Sequence, residues 1–275
     1  MKEYKVKEIN SLARGVDVLN TLQSLHAASL HDLYNETKIP KSTLTRILYT
    51  LSKKGYVWQR LVDNAFLPSH KFHRTPSETT DKDWLVETVS PILADLCDRA
   101  RWPSVLSIPR LDHMEVVEAN SPKSYFDDIA LGPIGYKLNM LRSASGRAYL
   151  AFCPDSERES ILKRLQNDPS PGHDLAHKPE QLHSIFDSIR QKGYAMRSSD
   201  FGGHYSDTRS KFDDRRNSIA LPIEYQGGIL GCINITWKNY VLEENAAVEA
   251  LLPELQKTKR NIENKILNEI QPSKQ

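Results

Sequence analysis

Lys41, Ser42, Thr43, Thr45, Arg46 and Tyr49 crowd cations and small hydroxyls into nine residues. Cations neutralise phosphates and set a protein on a duplex, while arginine and short hydroxyls reach base edges, so this mixture on one helix face suits the major groove of DNA. Leu44, Ile47, Leu48 and Leu51 recur at i, i+3, i+4 and i+7 in the same segment, which predicts a helix whose other face is buried. A second constellation lies near the C-terminus. Asn234 and Thr236 flank Ile235 in an apolar run, so a strand would put both polar groups on one sheet face, as in a ligand cavity rather than a dry core.

The elements that must position the first set are legible around it. Ser29 can cap a helix with Asp32 in the capping-box position, and Leu30, Leu33 and Tyr34 supply its buried side. That helix ends at Thr37-Lys38, Ile39 is the apolar residue of the turn, and Pro40 stands where the next helix begins. Gly55 closes the second helix as its C′ residue. Tyr56 to Leu67 predicts a hairpin around Asp63-Asn64. Ahead of them, Ile9 to Leu25 reads as a helix with Leu12, Val16, Leu19, Leu22 and Leu25 on one helical stripe. Helix, turn, helix and hairpin together predict a winged helix-turn-helix that binds double-stranded DNA. Ser42, Thr43, Thr45 and Arg46 are expected to read the major groove, with Tyr49 on the same face. Lys41, Lys53 and Arg14 are expected on phosphates, and Arg60 in the wing near the backbone or minor groove. The alternative is an ordinary solvated helix face.

Charge follows the same division. Residues 1–75 hold twelve basic and six acidic side chains, a surplus of six, whereas the whole chain carries +2, so the remainder sums to −4. A positive head on a mildly negative body meets phosphate at one end only. The 275 residues allow a small head and one larger domain, each with a core. We place the head at residues 1–71, a polar linker at 72–83 and a second domain at 84–275. No apolar run is long enough to span a membrane, and MKEYKVKEIN lacks the core of a signal peptide, so a cytoplasmic protein without a membrane partner is expected. Cys97, Cys153 and Cys232 are far apart in apolar surroundings and read as buried reduced thiols; no metal site or cofactor is expected.

The body alternates helix and strand signals. Trp84 to Ala100 is helical apart from a kink or break near Pro91, and Ser104–Arg110 with Met114–Ala119 forms a hairpin. Helices are expected at Ala144–Phe152, Ser156–Leu165 and Glu180–Lys192, with a short strand at Tyr194–Arg197. Ser218–Glu224 and Ile229–Trp237 pair over Tyr225-Gln226-Gly227-Gly228, before a long helix from near Glu243. Helices packed on an antiparallel sheet make the fold α+β.

Four segments, ARGVDVLNTL, IPKSTLTRILYTLSKKGYV, SASGRAYLAF and the strand pair SIALPIEYQGG and GILGCINIT, resemble in type and order the isocitrate lyase regulator (IclR) family of bacterial transcription factors. The resemblance spans nearly the whole chain. It implies a GAF-like effector-binding domain after the winged head, and homodimers or homotetramers on a pseudo-palindromic operator. Within the family, SASGRAYLAFCP and SIALPIEYQGGILGCINI look most like activators of phenylpropionate and other aromatic-acid catabolism. Such an activator would also contact RNA polymerase.

The resemblance also implies a pocket for a small-molecule effector. Ala144, Ser145 and Gly146 match the family's small-residue helix start, whose N–H groups suit a carboxylate; a tight packing turn predicts the same residues. Ser218, Asn234 and Thr236 fall at family positions facing the pocket. The segment Arg197 to Asp207, with Ser198, occupies the effector-loop position. There Arg197, or Arg142 elsewhere, could clamp a carboxylate, while Phe201 or Tyr205 could stack on a ring; the alternative for either arginine is a surface charge. Leu131, Tyr136, Leu141 and Cys232 would be apolar lining or plain core.

Other readings compete with this one. An enzyme lacks support: there is no G-x-S-x-G, P-loop, GxGxxG or HExxH motif, and His173, His177, His183 and His204 have no metal-ligand spacing. No catalytic residue is expected. A constitutive DNA-binding protein would use the body only to oligomerise, and a repressor sensing a small keto acid would share the whole architecture.

Overall fold

Three helices, α1 (Asn10–Leu25), α2 (Leu30–Thr37) and α3 (Lys41–Lys53), and a hairpin of β1 (Val57–Gln59) and β2 (Phe66–Pro68) begin the chain. The computed structural model describes residues 8–69, 81–122, 129, 131–169 and 171–270. The chain divides into two compact units, Met1–Glu87 and Thr88–Gln275.

Local chemistry explains where the head's helices start and stop. The Asp32 amide donates to Ser29 Oγ at 3.2 Å and the Ser29 amide donates to Asp32 Oδ2 at 2.9 Å, closing the expected capping box. Lys38 ends α2 in the left-handed region at φ 55°. After α3, Gly55 adopts φ +73°. Its amide reaches Ser52 O at 3.0 Å, and that of Tyr56 reaches Leu51 O at 2.9 Å, a Schellman closure. Val18, Leu22, Leu33, Leu44, Leu48 and Val57 form the core with Ala28 and Ile39. Of the α1 stripe, Leu22 is buried and Leu19 packs against the core, whereas Leu12, Val16 and Leu25 are 63%, 46% and 41% exposed, and Val18, off the stripe, is buried. Tyr34 is likewise on the surface.

Of the expected linker, residues 72–80 lie outside the described residues, and Asp81 to Asp83 open α4 (Asp81–Ala100). Helix α4 is continuous through Pro91, so of the kink or break expected there the break does not occur. One proline removes one backbone bond, and Val89, Leu93, Leu96 and Cys97, all buried, anchor the helix on both sides of it.

The second unit is a six-stranded sheet in the order β5-β4-β3-β8-β7-β6. Its strands are β3 (Ser104–Pro109), β4 (His113–Asn120), β5 (Lys137–Asn139), β6 (Ala195–Met196), β7 (Arg216–Tyr225) and β8 (Gly228–Lys238). Each described pairing is antiparallel. The short edge strand β5 carries no alternation that sequence could reveal. Gln226 and Gly227, at φ 47° and 80°, make the tight turn between β7 and β8. Helix α8 (Glu244–Ile270) packs on β7 and β8, tied by Lys259 Nζ to Glu224 at 2.5 Å and by the Glu224 amide, which donates to Glu263 Oε1 at 2.8 Å. Helices α5 (Ala144–Phe152), α6 (Asp155–Asn167) and α7 (Pro179–Lys192) form a second buried cluster with Cys153, Ala220 and Cys232. All three cysteines are free and buried.

Candidate nucleic-acid interface and ligand cavity

Burying Leu44 and Leu48 turns the opposite side of α3 outward. Lys41, Ser42, Thr45, Arg46, Tyr49 and Lys53 are exposed there, and Thr43 is half-buried. Thr45 Oγ1 donates back to Lys41 O at 2.9 Å, leaving its lone pairs and methyl outward. Lys41 and Lys53 lie over the rings of Tyr34 and Tyr49, at 5.8 Å and 5.7 Å. Among the described residues, no carboxylate makes an ion pair with Arg14, Lys41, Arg46 or Lys53. Their charge is therefore available to phosphate. Arg60 is different: its guanidinium grips Asp63 through Nε at 3.0 Å and Nη2 at 2.5 Å across the wing turn. This holds the Asp63 carboxyl below the usual carboxylate range and makes Arg60 a brace of the hairpin.

In the second unit a cavity of about 300 Å³ lies against one face of the sheet. Of the fourteen candidate ligand residues, it brings together Leu131, Tyr136, Ala144, Ser145, Arg197, Ser218, Asn234 and Thr236. The register pairs Ser218 with Thr236 and Val105 with Asn234, which sets these side chains on one face. Ser145 Oγ, Asn234 Oδ1 and Arg197 Nε are buried without a hydrogen-bond partner, and such groups carry a desolvation cost until something meets them.

The other six candidates lie outside this cavity. Leu141 and Cys232 belong to the cluster packed on α5. Gly146 packs where a Cβ would stand 2.4 Å from Met140 O, so its smallness serves packing. Arg142 faces Asp174, at 3.8 Å. Ser198 Oγ donates to Asp200 at 2.6 Å. Tyr205 turns toward His173 Nε2 at 3.2 Å and Asp112 O at 3.3 Å, and burial pushes its hydroxyl up to about 12.

Arg197 corrects the expectation more sharply. It lines the cavity, but its Nη1 and Nη2 hold Asp214 at 3.0 Å and 2.9 Å, and Nη2 also donates to Phe201 O at 2.6 Å. Its charge is neutralised within the protein, so it is no open clamp. Asp214, Arg216, His204, Phe212 and Gly203 complete that wall; Gly203 and His204 fall within the segment expected at the effector loop, whereas Phe212, Asp214 and Arg216 lie beyond it and carried no sequence signal. Asn139 is a further residue without a sequence signal. Its Oδ1 accepts from Leu141 and Arg142 amides at 2.9 Å and 3.0 Å, while Nδ2 donates to Tyr205 O at 2.9 Å. One buried amide thereby ties the loop before α5 to the loop bordering the cavity. Ser143 then caps α5, accepting from the Gly146 amide at 3.0 Å.

A winged helix-turn-helix with an unpaired basic helix face, followed by an α+β unit holding a cavity, defines a DNA-binding transcriptional regulator. Residues 11–61 match the IclR helix-turn-helix domain, and residues 78–264 match the bacterial transcriptional regulator IclR C-terminal domain. The chain belongs to the IclR family.

It is 25% identical over 253 residues to the HTH-type transcriptional regulator RhmR of Escherichia coli K12, covering 85% of this chain and 88% of that one. It is also 25% identical to the transcriptional repressor IclR of the same organism over 217 residues, covering 78% and 72%. In fold it resembles Thermotoga maritima IclR, with TM-score 0.55 and 18% identity over 94% of this chain and 99% of that one. It also resembles an IclR homolog from Microbacterium hydrocarbonoxydans complexed with 4-hydroxybenzoate, with TM-score 0.52 and 21% identity over 94% and 99%. Among the described residues, no helix is long and apolar enough to cross a membrane.

Proposed function

We propose that this regulator binds a pseudo-palindromic operator as a dimer or tetramer in the cytoplasm and is switched by a small aromatic carboxylate in the cavity of its second unit. The observation that carries the sensor reading is the group of buried, unpartnered polar atoms, Ser145 Oγ and Asn234 Oδ1, on the cavity wall. The first-turn amides of Ala144 and Ser145, which helix geometry leaves without intrahelical partners, suit the carboxylate. Val105, Val116, Leu131 and Leu138 suit an apolar ring. A volume of about 300 Å³ sits at the lower end of ligand pockets and favours a single-ring acid. The 4-hydroxybenzoate bound by the Microbacterium homolog has this chemistry.

The test is a thermal-shift screen of the full chain against hydroxybenzoates, hydroxyphenylacetates, phenylpropionates, cinnamates and small keto acids. A ligand at about a hundred times its Kd adds roughly 2.7 kcal/mol, and the rise should come from the aromatic acids. A response to keto acids alone would replace the aromatic reading, and silence across the panel would remove the sensor reading.

On DNA, Arg46 and the hydroxyls of Ser42, Thr43 and Thr45 read bases, while Lys41, Lys53 and Arg14 hold phosphates. Arg46→Ala should reduce operator affinity about 5- to 150-fold, the worth of about 1–3 kcal/mol for a base contact, with a smaller loss on random DNA. Lys53→Ala should weaken both and lower the salt slope by about 1. Fluorescence anisotropy across a salt series measures both, and equal losses for Arg46→Ala on the two DNAs would contradict base reading. The likeness of SASGRAYLAFCP to aromatic-acid activators favours activation with RNA polymerase as a partner. The likeness to the repressor IclR of Escherichia coli favours repression, and a reporter fusion with and without ligand separates the two.

A further inference from the structure

One turn after Ala144, helix α5 carries Arg147 toward α7 and β6. There a second cavity, of about 290 Å³, is lined by Arg147, Ser184, Ser188, Lys192 and Tyr194 together with apolar side chains. Arg147 spends Nη1 on Met196 O at 3.1 Å, and its Nε is buried without an acceptor. Other arginines of the same unit have a carboxylate against them: Arg99 holds Glu254, Arg110 holds Glu115, Arg158 holds Asp155 and Arg190 holds Asp187. Among the described residues none lies within ion-pair reach of Arg147 or of Lys192. Burial lowers the Arg147 pKa, opposed only by the field of Asp200, whose carboxylate is already engaged by Ser198 Oγ.

A half-buried cation without a counter-ion costs desolvation that contact with an anion recovers. The donors at this site define which anion. A guanidinium, an ammonium and three hydroxyls offer more N–H and O–H groups than the two oxygens of a carboxylate accept, and two positive charges match a doubly charged group. We infer that the cavity between α5, α7 and β6 is a binding site for a phosphate group, held by Arg147 and Lys192 and bordered by the hydroxyls of Ser184, Ser188 and Tyr194. This site is separate from the ligand cavity and does not depend on its occupant. Because Arg147 follows Ala144 and Ser145 within one turn of α5, phosphate here would bear on the same turn of the helix.

The test follows the thermal midpoint of the full chain against inorganic phosphate, with chloride at matched ionic strength and acetate as references, and glycerol 1-phosphate as a second arm. Salts shift midpoints without binding, so the informative signal is a rise that saturates. The wild type should show a saturable rise with phosphate and none with acetate. Arg147→Met should abolish it, and Lys192→Gln, at an exposed position, should weaken the apparent Kd at least fivefold. Asn234→Leu, which alters only the other cavity, should leave the phosphate curve unchanged, so this proposal and the aromatic-ligand reading fail independently. A stronger response to glycerol 1-phosphate would identify a phosphomonoester as the natural source, and a stronger response to inorganic phosphate the free ion. A purely linear rise in the wild type, or a saturable curve unchanged in Lys192→Gln, would overturn the site.

Discussion

Asp214→Ala should destabilise the second unit by about 3–5 kcal/mol, the effect of stripping one partner from a buried ion pair. The Arg197 and Asp214 side chains are only 5% and 9% exposed, so removing the carboxylate leaves a guanidinium that bulk water scarcely reaches. Arg197 would keep its bond to Phe201 O and its stacking on the Phe201 ring at 4.7 Å, but its charge would stand alone. The Arg216 amide, which donates to Asp214 Oδ1 at 3.1 Å, would lose its acceptor as well. Removing both charges tests this cause. Arg197→Met combined with Asp214→Leu should recover most of the loss, since a hydrophobic pair in place of a buried ion pair is often neutral. Urea unfolding of the full chain, followed by probes for each unit because two units need not unfold together, gives both numbers. A loss below about 1 kcal/mol would mean that the pair is hydrated in solution.

The second large effect belongs to Gly146→Ala. On helix propensity alone, alanine would stabilise α5 by about 1 kcal/mol. The added Cβ, however, would sit 2.4 Å from Met140 O, 2.6 Å from Met140 Cα and 2.7 Å from Asn139 O, all backbone atoms. Backbone held by the Asn139 network yields little, so overpacking of about 1–3 kcal/mol should outweigh the propensity gain. The expected result is a net loss of stability and, because α5 must move at its first turn, loss of the response to cavity ligands with DNA affinity of the head retained. Calorimetry and the ligand panel check it. A stabilised variant with normal ligand response would show that α5 shifts freely.

Where chemistry is local, reading from residues succeeds. The capping box of Ser29 and Asp32, the buried pair Leu44 and Leu48, and the left-handed Gly55 each depend on neighbours within a few positions. The α1 stripe holds only in part for a geometric reason: a 3.6-residue period sets Leu22 beside both Leu19 on the stripe and Val18 off it. Only the docking of α2 and α3 selects between them. The helix expected around Pro91 is present, and of the kink or break offered there the break does not occur, because buried side chains on either side hold the helix.

Taken alone, the sequence determined the winged helix-turn-helix, the outward face of α3, the α+β body and the family, since helix caps, apolar periods and turn residues act over short separations. Tertiary structure decided which polar groups share the cavity, that Arg197 is already bound to Asp214, and that among the described residues no carboxylate lies within ion-pair reach of Arg147. Those outcomes depend on contacts between segments far apart in the chain, where burial and pairing are settled by packing rather than by spacing.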